Sequence, residues 1–247
     1  SCLAGSYQNH IVFFHLLSPL FKLDYAVNLL QMIIGIHSGR KRGISDQSLH
    51  YLLKNTGHPF HIFQLTDLEL QTCDACLGCV KTNVCYKADG IGDIYRQMRS
   101  ADALVFASPE YWGGVNAKAR AFWERICFMG RHNEAFPLSH LKSAIIGISG
   151  TGNSSAGISD IRRFMQDARI SVISETAIQG NYACFDCGFG ETCKVSGLRD
   201  ICRRPISGSA ESGITQLNPN PDNCVQVFSL RKLFKAAELL TSSLENS

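Results

Sequence analysis

The chain has 247 residues, of which 45% are hydrophobic and 18% charged, and its formal net charge is +3. This composition is typical of a globular protein, and the length suits one large α/β domain with appendages and a sizeable core. The small net charge argues against partners held mainly by charge, so we expect neither nucleic-acid binding nor attraction to an anionic membrane.

Residues 1–31 are apolar, but polar and charged side chains interrupt them and no Lys or Arg precedes Lys22. A transmembrane helix needs about twenty largely uncharged apolar residues. A signal peptide needs a basic start and a small-residue cleavage site. We therefore expect no membrane insertion. We expect 1–31 to be an extension or translated upstream sequence outside a functional domain that starts near Met32, with a membrane-surface helix as the alternative.

From Met32 onward, short β-rich runs alternate with amphipathic helical stretches. The predicted strands cover residues 32–37, 61–65, 103–107, 143–149 and 171–177. The predicted helices cover residues 45–54, 91–99, 116–128, 156–168 and 230–244. Ser45 or Asp46 is expected to cap the first helix. The alternation predicts an α/β fold, a flavodoxin-like three-layer sandwich whose five-stranded parallel sheet has the order 2-1-3-4-5.

The same pattern predicts the domain organisation. Residues 32–180 are expected to form the flavodoxin-like domain, with a cysteine-bearing insertion at 66–88 after strand two. Residues 181–226 are an irregular segment rich in Gly, Pro, Ser, Asn and Cys, and a stretch this long is usually functional or disordered. Residues 227–247 are expected to form a C-terminal helix that packs on the core.

Most of the eleven cysteines fall in two tight groups. The first has the spacing C-x2-C-x2-C-x5-C and consists of Cys73, Cys76, Cys79 and Cys85. Three thiolates at steps of three residues can wrap one side of an inorganic core and a fourth can close it, which is how iron–sulfur clusters are held. Zinc more often takes two separated C-x2-C knuckles or Cys/His pairs. Local clustering favours a metal or cluster in a reducing, cytoplasmic compartment, and free or disulfide-bonded cysteines are the alternative.

The second group has the spacing C-x2-C-x5-C-x8-C and consists of Cys184, Cys187, Cys193 and Cys202. It is suited to a second iron–sulfur cluster or to a structural zinc. Zinc would suit a long loop without a core of its own, because metal binding can supply folding free energy. A surface loop with free thiols or a disulfide is the alternative.

Three loops are expected at the carboxyl ends of strands one, three and four, where ligands bind in such sheets. The first, 38–45, is basic and runs into a helix amino terminus, which suits a phosphate. The second, 108–113, carries Tyr111 and Trp112, which could flank a planar ring. The third, 149–155, is made of small polar residues that let the backbone approach a ligand. The first loop matches neither an ATP P-loop nor a dinucleotide fingerprint.

Residues 32 to about 180 resemble the NADPH-dependent FMN reductase-like flavoproteins of the flavodoxin fold, and the cysteine spacing is similar to that of the iron–sulfur flavoproteins. The resemblance rests on the phosphate loop from Ser38 to Ser45, on the Ser-Pro-Glu-Tyr run from Ser108, and on the helix segment that ends in Arg125. Departures are His37 and Gly39 in the phosphate loop, where glycine and proline are usual, and Asp89 followed by Gly90 instead of a second aspartate.

The resemblance implies an FMN at the strand ends, a [4Fe-4S] cluster on the first cysteine group, and assembly as a homodimer or homotetramer. The implied phosphate contacts are Ser38, Arg40, Ser45 and Gln47. The implied ring contacts are Pro109, Glu110, Tyr111, Trp112 and Gly113. Ser149, Gly150 and Thr151 of the third loop complete the expected cofactor site.

The leading hypothesis is an oxidoreductase that transfers electrons between FMN, the cluster and an external partner such as ferredoxin or NAD(P)H. It needs no side chain to act as a catalytic acid or base, and none is assigned. The alternative enzyme is an NAD(P)H-dependent FMN or quinone reductase whose cysteines are structural or bind zinc. A non-enzymatic redox or metal sensor is a third class, which predicts a flavin-free protein.

Overall fold

The computed structural model describes residues 31–131, 133–182, 187, 195, 225 and 227–246. The strands are β1 Ile33–His37, β2 Phe60–Gln64, β3 Ala103–Tyr111, β4 Gly114–Val115, β5 Lys142–Ser149 and β6 Ser171–Gln179. The α-helices are α1 Ile44–Lys54, α2 Ile91–Ser100, α3 Ala117–Met129, α4 Ser155–Asp167 and α5 Val227–Glu245. Two short 3-10 helices, Leu65–Asp67 and Gly78–Lys81, lie between β2 and α2.

The five long strands form one parallel sheet in the order β2-β1-β3-β5-β6. The two-residue β4 pairs antiparallel with the end of β3 and lies off this path. The predicted order 2-1-3-4-5 is therefore confirmed, with the cysteine-bearing insertion following β2. The interior strand β1, which lies between β2 and β3, is buried along its whole length, as expected for a strand covered on both faces.

Side chains alternate between two cores, one on each face of the sheet. Ile33 and Val105 point to a core shared with α1 and α5. Ile34 and Phe106 point to the other core, shared with α2, α3 and α4. The result is the three-layer sandwich that the strand–helix alternation predicts. None of the helices in the described part of the chain is long and apolar enough to cross a membrane.

Helix α1 begins one residue earlier than the hydrophobic pattern suggests, at Ile44. Gly43 is its N-cap and supplies no side-chain hydrogen bond, so the expected cap at Ser45 or Asp46 is wrong. Asp46 lies inside the first turn instead, where its carboxylate accepts a hydrogen bond from the backbone N–H of Arg42 at 2.7 Å. The acidic side chain still stabilises this end of the helix because it lies near the positive end of the helix dipole.

Candidate functional site

Hydrogen bonds join the loop after β1 to the end of β3. Ser38 donates its backbone N–H to the carbonyl of Ala107 (3.1 Å) and its hydroxyl to Ser108 Oγ (3.0 Å). Asn116, the N-cap of α3, donates from Nδ2 to the carbonyl of Ser38 at 2.8 Å and accepts from the N–H of Ala119 at 3.0 Å. One asparagine therefore caps a helix and fixes the position of Ser38.

The turn from Ser38 to Ser45 depends on glycine. A side chain at Gly39 would meet Ser45 Oγ at 2.5 Å, so the backbone lies directly against this buried hydroxyl. The N–H of Gly43 donates to the carbonyl of Arg40 at 3.0 Å and closes the turn. Arg40 is exposed beside the amino terminus of α1. A cationic side chain next to a helix amino terminus suits an anionic group such as a phosphate.

Gln47, the fourth expected phosphate contact, uses its side-chain amide within the protein. Nε2 donates to the carbonyl of Arg42 at 2.9 Å, and Oε1 accepts from the backbone N–H of Val225 at 3.2 Å. The side chain braces the basic turn against the segment that precedes α5.

A cluster of titratable groups that the sequence did not reveal lies behind this turn. His37 is buried, with Nε2 3.7 Å from Asp46 Oδ1, and His50 Nδ1 lies 2.8 Å from the same oxygen. Burial lowers the pKa of His37, whereas the hydrogen bond that His50 donates to the Asp46 carboxylate raises the pKa of His50. Burial opposes ionisation of Asp46, but its hydrogen bonds to His50 and to Arg42 hold its pKa low. The i,i+4 spacing of Asp46 and His50 on a predicted helix is the feature of the sequence that could have indicated this pair.

Residues 108–113 are a strand and a tight turn, not the irregular loop that was expected. Strand β3 runs to Tyr111, and Glu110 and Tyr111 pair with β4. Trp112 and Gly113 form the two-residue turn with φ of 55° and 78°, and type I′ hairpin turns require positive φ at both positions. The Trp112 side chain is fully exposed, at 105% of its reference area, and Tyr111 is half exposed. Two aromatic side chains therefore stand in solvent at the carboxyl edge of the sheet.

Glu110 ties this hairpin to α4. Its carboxylate accepts a hydrogen bond from the N–H of Gly157 at 2.9 Å, within the first turn of that helix. Asp160 of the same helix accepts from the N–H of Val115 in β4 at 3.2 Å. Pro109 lies inside β3 and pairs with β5. The carboxylate of Glu110 is thus already used in positioning the hairpin, and the neighbouring aromatic rings are its exposed groups.

The loop after β5 is closely packed. Ser149 Oγ lies 3.1 Å from Thr151 Oγ1, and the carbonyl of Ser149 accepts from the N–H of Gly152 at 3.1 Å. A side chain at Gly150 would lie 2.8 Å from the ring of Tyr182, so only glycine fits without moving that ring. The residues that follow β1, β3 and β5 thus form a continuous edge of small polar groups, one basic turn and two exposed aromatic rings.

The four cysteines of the first group line one small cavity, called here the cysteine cavity, together with Lys87, Arg125 and Met129. Cys79 is buried, Cys76 is exposed, and none of the four forms a disulfide within the described residues. The chain bends around the cavity through residues of left-handed conformation at Ala75, Leu77 and Asn83, with φ between 54° and 60°. Non-glycine residues in this region are uncommon and cluster at ligand sites.

Burial and negative charge on the neighbouring cysteines both oppose deprotonation of Cys79. Burial raises the pKa of the Cys79 thiol, and the neighbouring thiols of Cys85, Cys73 and Cys76 raise it further. Metal ions relieve such repulsion because they bind the deprotonated thiolates. Within the described residues, no three His, Cys, Asp or Glu side chains stand ready as a metal-ligand set. Binding by the cysteines would therefore require their side chains to rotate toward the cavity that they share.

Asn83 anchors the cysteine loop to the segment after α3. The side chain is 1% exposed. Its Nδ2 donates to the carbonyls of Met129 (2.6 Å), Arg131 (3.1 Å) and Glu134 (3.0 Å). Its Oδ1 accepts from the N–H of Glu134 at 2.8 Å. The short polar side chain also suits the left-handed backbone at this position.

A buried ion pair joins α3 to the two ends of the cysteine loop. Arg125 and Asp89 form this pair, and both side chains are at most 3% exposed. Asp89 also accepts from the N–H of Gln71 at 2.9 Å, and Arg125 Nη1 donates to the carbonyl of Gln71 at 3.3 Å. Burial opposes the charge of Arg125, but Asp89 outweighs it and, with Cys85, raises the pKa of the guanidinium.

A second set of polar contacts, around Asp74, joins the two ends of the cysteine loop on its exposed side. Asp74 accepts from Tyr86 OH at 3.0 Å and lies 3.2 Å from Lys87 Nζ. These hydrogen bonds, that from Tyr86 first, lower the pKa of Asp74 to about 2. Lys87 Nζ also donates to the carbonyl of Thr72 at 2.8 Å. The residues before the second cysteine are thereby held to those after the fourth.

The second cysteine group lies mostly outside the described residues. Cys184, Cys193 and Cys202 lie outside the described residues, as do residues 1–30. Cys187 is described and is exposed. A second cluster or a zinc ion on this group stays a prediction, as do the expected domain bounds.

Comparison with known proteins places most of the sheet in one family. The model of the family described as NADPH-dependent FMN reductase matches residues 32–175. An iron-sulfur flavoprotein from Methanosarcina thermophila is 30% identical over 89 residues, which are 36% of this chain and 46% of that protein. An iron-sulfur flavoprotein from Archaeoglobus fulgidus is 33% identical over 73 residues, 30% of this chain and 36% of that protein. The chain thus spans less than half the length of these two relatives.

Solved structures agree on the fold. RosB with a bound intermediate has a TM-score of 0.53 at 11% identity, over 87% of this chain and 79% of that one. An apo NADH:FMN oxidoreductase (EMOB) has a TM-score of 0.52 at 11% identity, over 88% of this chain and 91% of that one. At such low identity these similarities concern the architecture of the sheet and helices alone.

Proposed function

Because this chain belongs to the NADPH-dependent FMN reductase family, we propose that it is an FMN-dependent oxidoreductase that exchanges electrons between FMN, a [4Fe-4S] cluster and an external partner. FMN would supply a two-electron carrier and the cluster a one-electron carrier. The single observation that carries the cluster assignment is the cysteine cavity, where four thiols and a buried guanidinium surround one space. The names of the curated relatives add support.

The chain's own residues have definite tasks under this proposal. The basic turn with Arg40 and the amino terminus of α1 would hold the FMN phosphate. Tyr111 and Trp112 would lie against the flavin ring, with Gly150 allowing the backbone close to it. Cys73, Cys76, Cys79 and Cys85 would hold the cluster. A ferredoxin or NAD(P)H as electron donor and assembly as a homodimer or homotetramer are further parts of the proposal.

The test is cofactor analysis of protein purified without oxygen. We expect FMN, iron and acid-labile sulfide in each chain, with an EPR signal after reduction. The Cys76→Ser variant should lose iron and sulfide while it keeps FMN. Cys127→Ser is the matched control, because the Cys127 thiol lies on α3 and donates to the carbonyl of Phe164 at 3.4 Å, away from the cavity. Protein that holds flavin but takes up no iron after anaerobic reconstitution contradicts the cluster assignment.

The description of the matching family favours one alternative, an NAD(P)H-dependent FMN or quinone reductase with structural or zinc-binding cysteines. It predicts full NAD(P)H oxidation activity in Cys76→Ser and either zinc or no metal in the wild-type protein. Zinc, iron and sulfide measured on the same sample separate the two functions. Loss of FMN together with iron in Cys76→Ser would mean that the cysteine loop also helps to build the flavin site.

A further inference from the structure

Arg125 carries hydrogen-bond donors that the protein does not use. The side chain is 2% exposed, yet Nε and Nη2 have no hydrogen-bond acceptor within the described residues. Only Nη1 is engaged, by Asp89 and by the carbonyl of Gln71. An unmade hydrogen bond on a buried charged group costs about 1–3 kcal/mol or more, so buried donors of this kind are normally satisfied. The unpaired atoms therefore indicate that an acceptor is missing.

The position of Arg125 indicates which acceptor that is. The guanidinium lines the cysteine cavity, whereas Asp89 is not part of the cavity wall. Cys85 contributes to raising the pKa of Arg125, although its sulfur does not accept a hydrogen bond of ordinary geometry from Nε or Nη2. The four cysteines line the same cavity as Arg125, so sulfur atoms held there are candidate acceptors for its two unpaired nitrogens. Asp89 Oδ1 is also buried and unpaired, but it lies outside the cavity wall.

Lys87 provides a contrast within the same cavity wall. Its Nζ donates to the carbonyl of Thr72 at 2.8 Å and lies 3.2 Å from Asp74, so its charge is already used. Arg125 instead uses Nη1 alone, toward Asp89 and the carbonyl of Gln71, and its Nε and Nη2 have no partner among the described residues. The guanidinium therefore carries unused donors beside the cavity, whereas the Lys87 ammonium has its partners.

We propose that Arg125 is a positioning residue that donates hydrogen bonds from Nε and Nη2 to sulfur atoms of the cluster and holds its reduction potential up. This inference rests on the proposed function, since it needs a cluster on Cys73, Cys76, Cys79 and Cys85. Hydrogen bonds to sulfur and nearby positive charge both stabilise the more negative, reduced state of such clusters. Asp89 limits the effect because it compensates the guanidinium charge.

The test is a redox titration of the loaded protein followed by EPR, with the FMN potential as an internal reference. The double variant Arg125→Gln/Asp89→Asn removes one positive and one negative charge, so the net charge is unchanged while the guanidinium donors Nε and Nη2 are lost. We expect at least a tenfold decrease in the one-electron reduction constant of the cluster, about 59 mV. Asp89→Asn alone should shift the cluster potential upward, because it leaves the guanidinium charge uncompensated.

The control Arg120→Gln/Glu124→Gln removes an exposed ion pair of the same helix, which does not line the cavity, and it should change the reduction constant less than twofold. A labelling experiment on the unaltered protein needs no variant to fold. With ¹⁵N-arginine, pulsed EPR of the reduced protein should show a ¹⁵N coupling that vanishes when arginine is unlabelled.

Unchanged cluster potentials in both Arg125→Gln/Asp89→Asn and Asp89→Asn, or no ¹⁵N coupling, overturn the inference. A folded double variant that retains FMN but takes up no iron overturns it as well, since the pair would then build the loop instead of tuning the cluster. Wild-type protein without iron and sulfide contradicts the proposed function itself, so the two failures are distinguishable.

Discussion

Removal of the Asn83 side chain should detach the cysteine loop from the end of α3 and the segment after it, and should lower the free energy of unfolding measurably. Nδ2 has two hydrogens for its three carbonyl partners, so the side chain supplies two donors and one acceptor. At about 1 kcal/mol for each of these three bonds, their loss costs about 3 kcal/mol. The left-handed backbone, with φ of 55°, adds about 1 kcal/mol when an alanine replaces the asparagine.

Two variants separate these contributions. Asn83→Gly loses the hydrogen bonds but tolerates positive φ, so its free energy of unfolding should fall by about 3 kcal/mol. Asn83→Ala should fall by about 4 kcal/mol because it also carries the backbone strain. Thr82→Ala is the matched control, since Thr82 is exposed and its hydroxyl makes only long, local bonds: it donates to the carbonyl of Val84 at 3.3 Å and accepts from the N–H of Val84 at 3.3 Å. Its effect should stay within about 0.5 kcal/mol.

Urea denaturation of the metal-free protein, followed by circular dichroism, gives these free energies. The same samples should show reduced iron uptake in both Asn83 variants, because a detached loop no longer gathers its thiols. An Asn83→Ala variant as stable as Thr82→Ala would refute the assignment of Asn83 as the anchor. Equal losses in Asn83→Ala and Asn83→Gly would refute the strain attributed to the backbone.

Three further predictions concern the carboxyl edge of the sheet. Trp112→Asn places a preferred residue in the type I′ turn, so the free energy of unfolding in urea should rise by about 1 kcal/mol. The same variant should bind FMN more weakly in a flavin titration. Unchanged stability would contradict backbone strain at Trp112. The pKa of His50 is raised, so its pairing with Asp46 stabilises the fold below about pH 6.5, and this stabilisation is lost as the pH rises through the folded-state pKa. Asp46→Asn should therefore lower the free energy of unfolding more at about pH 5.5 than at about pH 8.5. Equal losses at the two pH values argue against the pair. Gly150→Ala must displace the ring of Tyr182 and should weaken FMN binding roughly tenfold, about 1.4 kcal/mol. Gly92→Ala is the control, because a methyl group there meets open space. Equal effects of the two variants on FMN binding would contradict a role of Gly150 in the flavin site.

The architecture was predictable from the sequence because its signals are local. The buried run at 103–107 and the apolar stripes of the helices set the strand–helix alternation, and the alternation sets a parallel sheet. The family expected from the motifs is confirmed, because the model of the family described as NADPH-dependent FMN reductase matches residues 32–175. The continuation of β3 to Tyr111 was missed because Ser108 and Pro109 are typical of a strand end and because nothing in the sequence announces positive φ at Trp112.

The contacts that build the cysteine cavity were not predictable in the same way. The cysteine spacing indicated a shared ligand, and Arg125 and Asp89 stood in recognised motifs. Their pairing, however, joins residues 36 positions apart and becomes visible only when α3 packs against the loop. The same holds for Asn83, whose partners lie 46 to 51 positions away. Tertiary packing, not local propensity, determines such polar networks.

Helix α3 fixes the spacing between the two candidate sites. At its amino terminus Asn116 donates a hydrogen bond to the carbonyl of Ser38 in the basic turn, and nine residues later Arg125 forms part of the cysteine cavity. Nine residues of α-helix span about 14 Å, and one residue more or fewer would change this distance by about 1.5 Å and turn the guanidinium by about 100°. The helix therefore sets the distance between the basic turn and the cysteine cavity, and insertions should be far better tolerated in the surrounding loops than within it.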